Sequence, residues 1–157
     1  MIIYLDTEFW ERPCTIDLIS IGLVREDGKE YYAESSDFDE DRCTNDWLHK
    51  NVLNKLGHWE NRKSRSRIAS EILEFVGPNP VFTGYYSDYD WVVFCWLFGK
   101  MIDLPTGFPK FCIDLKQDLF RAGNPKIPFK AEQEHNALDD ARWIAKAHKW
   151  LIERKSQ

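Results

Sequence analysis

The opening residues Met1-Ile-Ile-Tyr-Leu-Asp6-Thr-Glu8-Phe-Trp10 constrain the fold more than any other stretch of the chain. Ile2 to Leu5 have the length and the β-branched, aromatic character of a buried strand, which puts Asp6 and Glu8 at its far end. Side chains alternate along a strand, so the two carboxylates share one face. Like charges held together on a rigid strand repel each other unless a cation lies between them, and an all-oxygen site suits Mg²⁺ or Mn²⁺. The remaining ligands of such a site must come from later segments.

At 157 residues, 43% hydrophobic and 15% aromatic, the chain is long enough for one well-packed core, so a single domain over residues 1–157 is expected. No apolar run reaches the ~18 residues of a membrane span, and the N-terminus lacks the pattern of a signal peptide. A soluble, cytoplasmic protein with no membrane partner is the expectation. Cys14, Cys43, Cys95 and Cys112 form no C-x-x-C pair and read as free thiols. The net charge of −5 argues against holding long nucleic acid by bulk electrostatics. It leaves room for an enzyme that touches a few nucleotides through a local basic surface, since a carboxylate metal site itself adds negative charge.

After a turn over Glu11 to Thr15, Ile16 to Arg25 reads as a second strand. Asp27-Gly28 is a strong hairpin signal, and Lys29 to Ala33 returns as a third strand, antiparallel like the first two. Glu34 to Arg42 reads as a surface loop. Asn45 or Asp46 caps a short helix to about Leu53, and Ser64 to Val76 has helical spacing that Gly77-Pro78 ends. Val81 to Tyr85 is a short buried strand, and Asp88 or Asp90 opens a helix to Trp96 or Phe98. Residues 113–121 look like a short amphipathic helix. Asn124 to Glu134 lacks periodicity, and a closing helix runs from about Asn136 to Arg154. The pattern is mixed α/β.

Two later segments carry polar residues suited to the acid pair on the first strand. Tyr89-Asp90 follows the strand at Val81 to Tyr85, although Asp88 stands close enough to be the alternative. His135-Asn-Ala-Leu-Asp-Asp140 opens the last helix with a histidine and, five residues on, an acid. With His135 just outside the helix and Asp140 one turn inside, both can project toward the same end of the sheet, and Ala137 is small enough to let the helix pack close.

Taken in order, Asp6-Thr-Glu8-Phe9, Tyr89-Asp90 and His135-Asn-Ala-Leu-Asp-Asp140 resemble the motifs of the DEDDh 3′-5′ exonucleases of the ribonuclease H-like superfamily. The flanking text is most similar to the small stand-alone bacterial and phage exoribonucleases of mycobacterial type. In the second motif Tyr86 and Tyr89 stand where the common family form has Asn and Phe. The resemblance implies a five-stranded mixed sheet, its first three strands antiparallel, flanked by helices. It also implies that Asp6, Glu8, Asp90 and Asp140 hold two Mg²⁺ or Mn²⁺ ions about 3.5–4 Å apart. His135 would act as general base, imidazole having an ordinary pKa of about 6.5, and Glu8 would help to orient the attacking water.

The implied activity is release of nucleoside 5′-monophosphates from the 3′ end of single-stranded RNA or of RNA 3′ overhangs. Single-stranded DNA is the alternative substrate, because discrimination rests on contacts to the 2′-OH that the motifs do not reveal. A non-catalytic nucleic-acid-binding module on the same fold is the alternative of a different class. Candidate substrate contacts are Thr7, Phe9 and Trp10 beside the acids, and Arg62, Lys63 and Arg65 in the basic run 61–67. For Phe9 and Trp10 the competing reading is core packing, and for the basic run a solvated helix start. Family members of this size also allow a homodimer, whose second subunit would add basic surface.

Overall fold

The computed structural model describes residues 1–57 and 59–155. Its strands are β1 (Ile2–Arg12), β2 (Thr15–Arg25), β3 (Glu30–Ser35), β4 (Arg62–Lys63), β5 (Val81–Gly84) and β6 (Ile113–Asp114). They form one sheet in the order β4-β3-β2-β1-β5-β6. The first three strands are antiparallel, as the sequence implied, and β4, β5 and β6 join in parallel to β3, β1 and β5. The sheet thus has six strands rather than the expected five. The surplus comes from two-residue pairings at its edges, too short to show any alternation. Arg62 and Lys63 read as part of a basic run, and Ile113 and Asp114 as the first turn of a helix.

Two boundaries also move. β1 does not end after its apolar run, because Asp6 to Arg12 stay paired with Gly22 to Thr15 in a hairpin closed by Pro13 and Cys14. Asp6 and Glu8 therefore lie mid-strand, held by ladder hydrogen bonds on the β2 side. β3 likewise continues through Glu34 and Ser35, which are 1% and 5% exposed rather than part of a surface loop.

The helices are α1 (Asp46–Asn51), α2 (Arg65–Val76), α3 (Asp88–Leu97), α4 (Leu115–Arg121) and α5 (Ala137–Lys155). Asn45 and Ser64 cap α1 and α2 by accepting the backbone N–H of Leu48 and Arg67, and Gly77 at φ 69° follows the last turn of α2. One face of the sheet presents Ile3, Leu5, Ile21 and Leu23 to Ile68, Ile72 and Val76 of α2 and to Trp91 and Phe94 of α3. Tyr4 and Val24 instead pack with Ala141, Ile144, Ala147 and Leu151 of α5. Each such large side chain contributes about 1.5–3 kcal/mol by leaving water, so the two faces hold α5 and the α2–α3 pair firmly on opposite sides of β1. A third, smaller cluster seats α1 on the hairpin through Ile19, Cys43, Leu48, Val52 and Leu53. No helix among the described residues is long and apolar enough to cross a membrane.

Candidate active site

β5 pairs with β1 only over Ile2 to Tyr4, so beyond Tyr4 one edge of β1 has no strand partner. α3 begins in that gap. The backbone N–H of Thr7, which would otherwise face an empty edge, donates to Asp90 Oδ1 at 2.9 Å, and Thr7 Oγ1 donates to the same oxygen at 2.5 Å. Asp90 is 5% exposed and held beside Asp6, whereas Asp88 is exposed to solvent. Of the two acids open in the sequence, Asp90 is the one the fold carries to β1. Thr7 points inward to fasten it.

From the opposite face, α5 arrives with its first turn directly over β2. A Cβ built on Gly22 would lie 2.2 Å from the Ala137 carbonyl oxygen, so only glycine admits this approach, and Ala137 itself is fully buried. Gly22 sits across the ladder from Asp6, which explains how the start of α5 comes to the acid pair. Asn136 caps the helix, its Oδ1 accepting from the backbone N–H groups of Leu138 and Asp139 at 3.2 Å. His135 precedes it at φ 63°, and its N–H donates to Asp140 Oδ2 at 2.9 Å. The chain thus turns sharply between the histidine and the helix, as the five-residue spacing requires. A β-bulge between Glu8 and Phe9 adds local twist at the same place.

Asp6, Glu8 and Asp140 each offer a carboxylate oxygen within 4.8 Å of the others. Burial, then the charges of Asp90, Asp140 and Glu8, push the Asp6 carboxyl well above the usual range. Burial, then Asp140 and Asp90, raise Glu8 to about 8 against the lowering charge of Lys55. Asp90 is raised to about 6, burial outweighing the two Thr7 hydrogen bonds that lower it. Asp140 is raised as well, again by burial first, and is steadied by the His135 N–H. Asp90 and Asp140 raise the proton affinity of Asp6 and Glu8, and a set of crowded acids with only oxygen donors matches what a hard divalent cation needs. The residues present fit Mg²⁺ or Mn²⁺.

Sequence reading missed three neighbours of the site. Gly22 carried the signal of a glycine inside a strand, which marks close backbone approach. Lys55 donates its Nζ hydrogen to the Glu134 carbonyl, next to His135, while its charge acts on Glu8. Trp47 sets its ring edge to face with His135, centroids 4.8 Å apart. No sequence pattern marks the last two, since the contacts span about 80 residues of chain.

Among the candidate substrate contacts, Phe9 lies beside the acids and meets Tyr89 edge-on at 6.0 Å. Trp10 packs against Phe38, with the Arg12 guanidinium 4.2 Å over its ring. The basic run is tied to acids: Arg62 to Glu34 and Glu40, Lys63 to Glu71, Arg65 to Asp17. Glu8, Ser20, Glu34 and Arg62 form one row across β1 to β4, so Arg62 stands three strand spacings, about 14 Å, from Glu8.

Among solved structures, one of exonuclease I shares the fold with a TM-score of 0.71 at 14% identity, over 98% of this chain and 40% of that one. Escherichia coli exonuclease I in complex with a dA16 oligonucleotide superposes with a TM-score of 0.67 at 16% identity, with the same coverage. The chain spans about two fifths of those proteins and shares the fold of that part of them. The model of the 3′-5′ exoribonuclease Rv2179c-like domain matches residues 1–152, and the chain belongs to that family. It is 39% identical over 145 residues to the 3′-5′ exoribonucleases Rv2179c and MT2234.1 of two Mycobacterium tuberculosis strains, covering 88% of this chain and 86% of each relative.

Proposed function

We propose that this protein is a divalent-metal-dependent 3′-5′ exoribonuclease that trims single-stranded RNA or RNA 3′ overhangs to nucleoside 5′-monophosphates. The observation that carries the reading is the convergence of Asp6, Glu8 and Asp140 from β1 and α5, with Asp90 docked beside them and His135 at the same turn. Asp6, Glu8, Asp90 and Asp140 would hold two Mg²⁺ or Mn²⁺ ions, which when bound supply a lowered pKa for the attacking water and positive charge against the departing 3′ oxygen. His135 takes the proton of that water, and Glu8 orients it. Thr7 keeps Asp90 aimed at the centre, and Phe9 with Tyr89 offers an aromatic edge to the terminal base.

RNA is preferred to DNA because the 39% identical relatives are named exoribonucleases; the likeness to exonuclease I speaks only to fold. A silent binding module is disfavoured because each acid of the set is present and gathered.

The test is a time course on 5′- and 3′-labelled RNA and DNA oligomers with Mg²⁺, Mn²⁺ or EDTA. A 5′-labelled RNA should shorten one nucleotide at a time, a 3′-phosphate should slow the reaction, and circular RNA should survive. Activity retained in EDTA, or circular RNA cut at a comparable rate, would overturn the reading.

A further inference from the structure

We propose that Tyr86 and Lys116 form a nucleotide-binding platform, on which a base of the single strand upstream of the scissile bond stacks while its phosphate pairs with the lysine. The inference rests on the function proposed above and adds a substrate subsite to it.

Tyr86 has the backbone of a residue under constraint: φ is 54°, in the left-handed region that a bulky aromatic side chain rarely enters. Its ring gains little packing in return, because the residue is 63% exposed. The conformation is instead enforced by its surroundings. Ser87 N–H donates to Asp114 Oδ2 at 3.2 Å, and Lys116 N–H donates to Asp114 Oδ1 at 2.6 Å, so one carboxylate clamps the Tyr86 turn to the start of α4. Tyr85 meets the ring edge-to-face with centroids 4.8 Å apart, and itself makes the same kind of contact with Trp143 of α5 at 4.9 Å.

Lys116 projects its ammonium to 5.7 Å from the Tyr86 ring centroid, within the range of a cation–π pair. Beside them is a cleft of about 300 Å³ bordered by Tyr85, Lys116, Asn124, Phe129 and Trp143. An exposed ring next to a cation, the cation itself bordering a cleft with aromatic side chains in its wall, is a combination that binds single strands without reading sequence.

The platform also stands at the right place. A Cβ on Gly84, two residues earlier, would lie 3.3 Å from the carbonyl oxygen of Leu5, the residue before Asp6, and Asp90 follows Tyr86 within the next turn. It flanks the acids on the β5 side, away from the basic run, whose charges already have partners. Among the described residues, the Lys116 ammonium hydrogen-bonds a side chain only at Asn124 Oδ1, at 3.4 Å, so a phosphate can take it up.

The test uses Tyr86→Asn, Tyr86→Phe and Lys116→Gln. Asparagine tolerates the left-handed backbone but removes the ring, so the fold is kept while stacking is lost. Affinity is read by fluorescence anisotropy on a 5′-labelled single-stranded RNA whose 3′-terminal linkage is a phosphorothioate, and KM and kcat on the unmodified strand. Tyr86→Asn should weaken Kd and raise KM about tenfold, in the range of one lost base–aromatic stack, while its Tm stays level or rises. Tyr86→Phe should bind as wild type does. Lys116→Gln should weaken binding and flatten the log–log salt dependence by about 0.7.

Wild-type Kd and KM in Tyr86→Asn would overturn the platform, as would a loss confined to kcat. An unchanged salt slope in Lys116→Gln would remove the phosphate contact and overturn it also, independently of how Tyr86→Asn folds. These failures leave the exonuclease reading intact. A wild type that binds and trims no single strand would overturn both.

Discussion

Glu8 is a carboxylate whose ionisation opposes folding and which the proposed function makes necessary to the chemistry. Its folded-state pKa is raised from an ordinary 4.5 to about 8, so its favourable contribution to stability is fully present below pH 4.5 and is lost as pH rises through about 8. The slope for one proton reaches about 1.4 kcal/mol per pH unit, roughly 4 °C in Tm for a chain of this size. In EDTA the Tm of the wild type should therefore fall from pH 5 to pH 8, and Glu8→Gln, which cannot ionise, should flatten that fall while abolishing activity. Equal slopes for the two proteins in calorimetry would show that the acids do not crowd one another. His135 belongs to the same scale: His135→Ala should cut kcat by about 10²-fold, the ordinary worth of a general base, with metal affinity by titration calorimetry nearly unchanged. A wild-type rate in His135→Ala would leave a carboxylate site with no base. Thr7→Val keeps the backbone donor to Asp90 and removes the hydroxyl one. Its rate at pH 6 should drop relative to its rate at pH 8, because Asp90 then holds its proton to higher pH.

The element that decides the site is the junction of β2 with α5. α5 carries Asp140 and is fixed along its length by Ala141, Ile144, Ala147 and Leu151, but its first turn can reach Asp6 only because position 22 has no side chain. Gly22→Ala puts a carbon against main-chain atoms of Ala137 and Leu138, which no rotamer change relieves. The expected cost is about 1–3 kcal/mol, a fall of roughly 3–9 °C in Tm. Activity should fall more steeply than stability, by about 10²-fold, since a displacement near 1 Å misaligns Asp140 and His135. A Gly22→Ala enzyme with unchanged kcat would show that the helix start has slack. On the other flank, Lys55 and Trp47 reach the His135 segment from α1 and the turn that follows it. They bind a stretch that lacks periodicity of its own to a packed cluster.

At the scale of the whole molecule, the acids are gathered where three independently packed units meet: the β1–β2 hairpin, α3 and α5. On the proposed function a cation bound there would couple to folding by mass action, and Mg²⁺ or Mn²⁺ at a hundred times its Kd should stabilise the protein by about 2.7 kcal/mol. The rise in Tm should be larger at pH 8 than at pH 5, because the raised carboxylates must lose protons to bind. A pH-independent rise would place the cation elsewhere.

The sequence alone determined the principal helices and strands and the residues proposed for the site. The β1 alternation put Asp6 and Glu8 on one face, a cap at Asn45 or Asp46 and the Gly77 stop bounded helices, and the spacing of His135 and Asp140 matched a helix start. These are local properties, written in neighbouring residues. Tertiary structure decided what depends on non-neighbours. It selected Asp90 over Asp88, because β5 stops at Gly84 and leaves the Thr7 N–H to be satisfied. It added two-residue edge strands that no alternation can reveal, and buried Glu34, which the sequence had left in a loop. It paired Arg62, Lys63 and Arg65 with acids 8 to 48 positions away, which the charge run by itself does not show. Such pairings are set by which strand edges and helix faces are left open after the core has packed, and that is a property of the assembled chain.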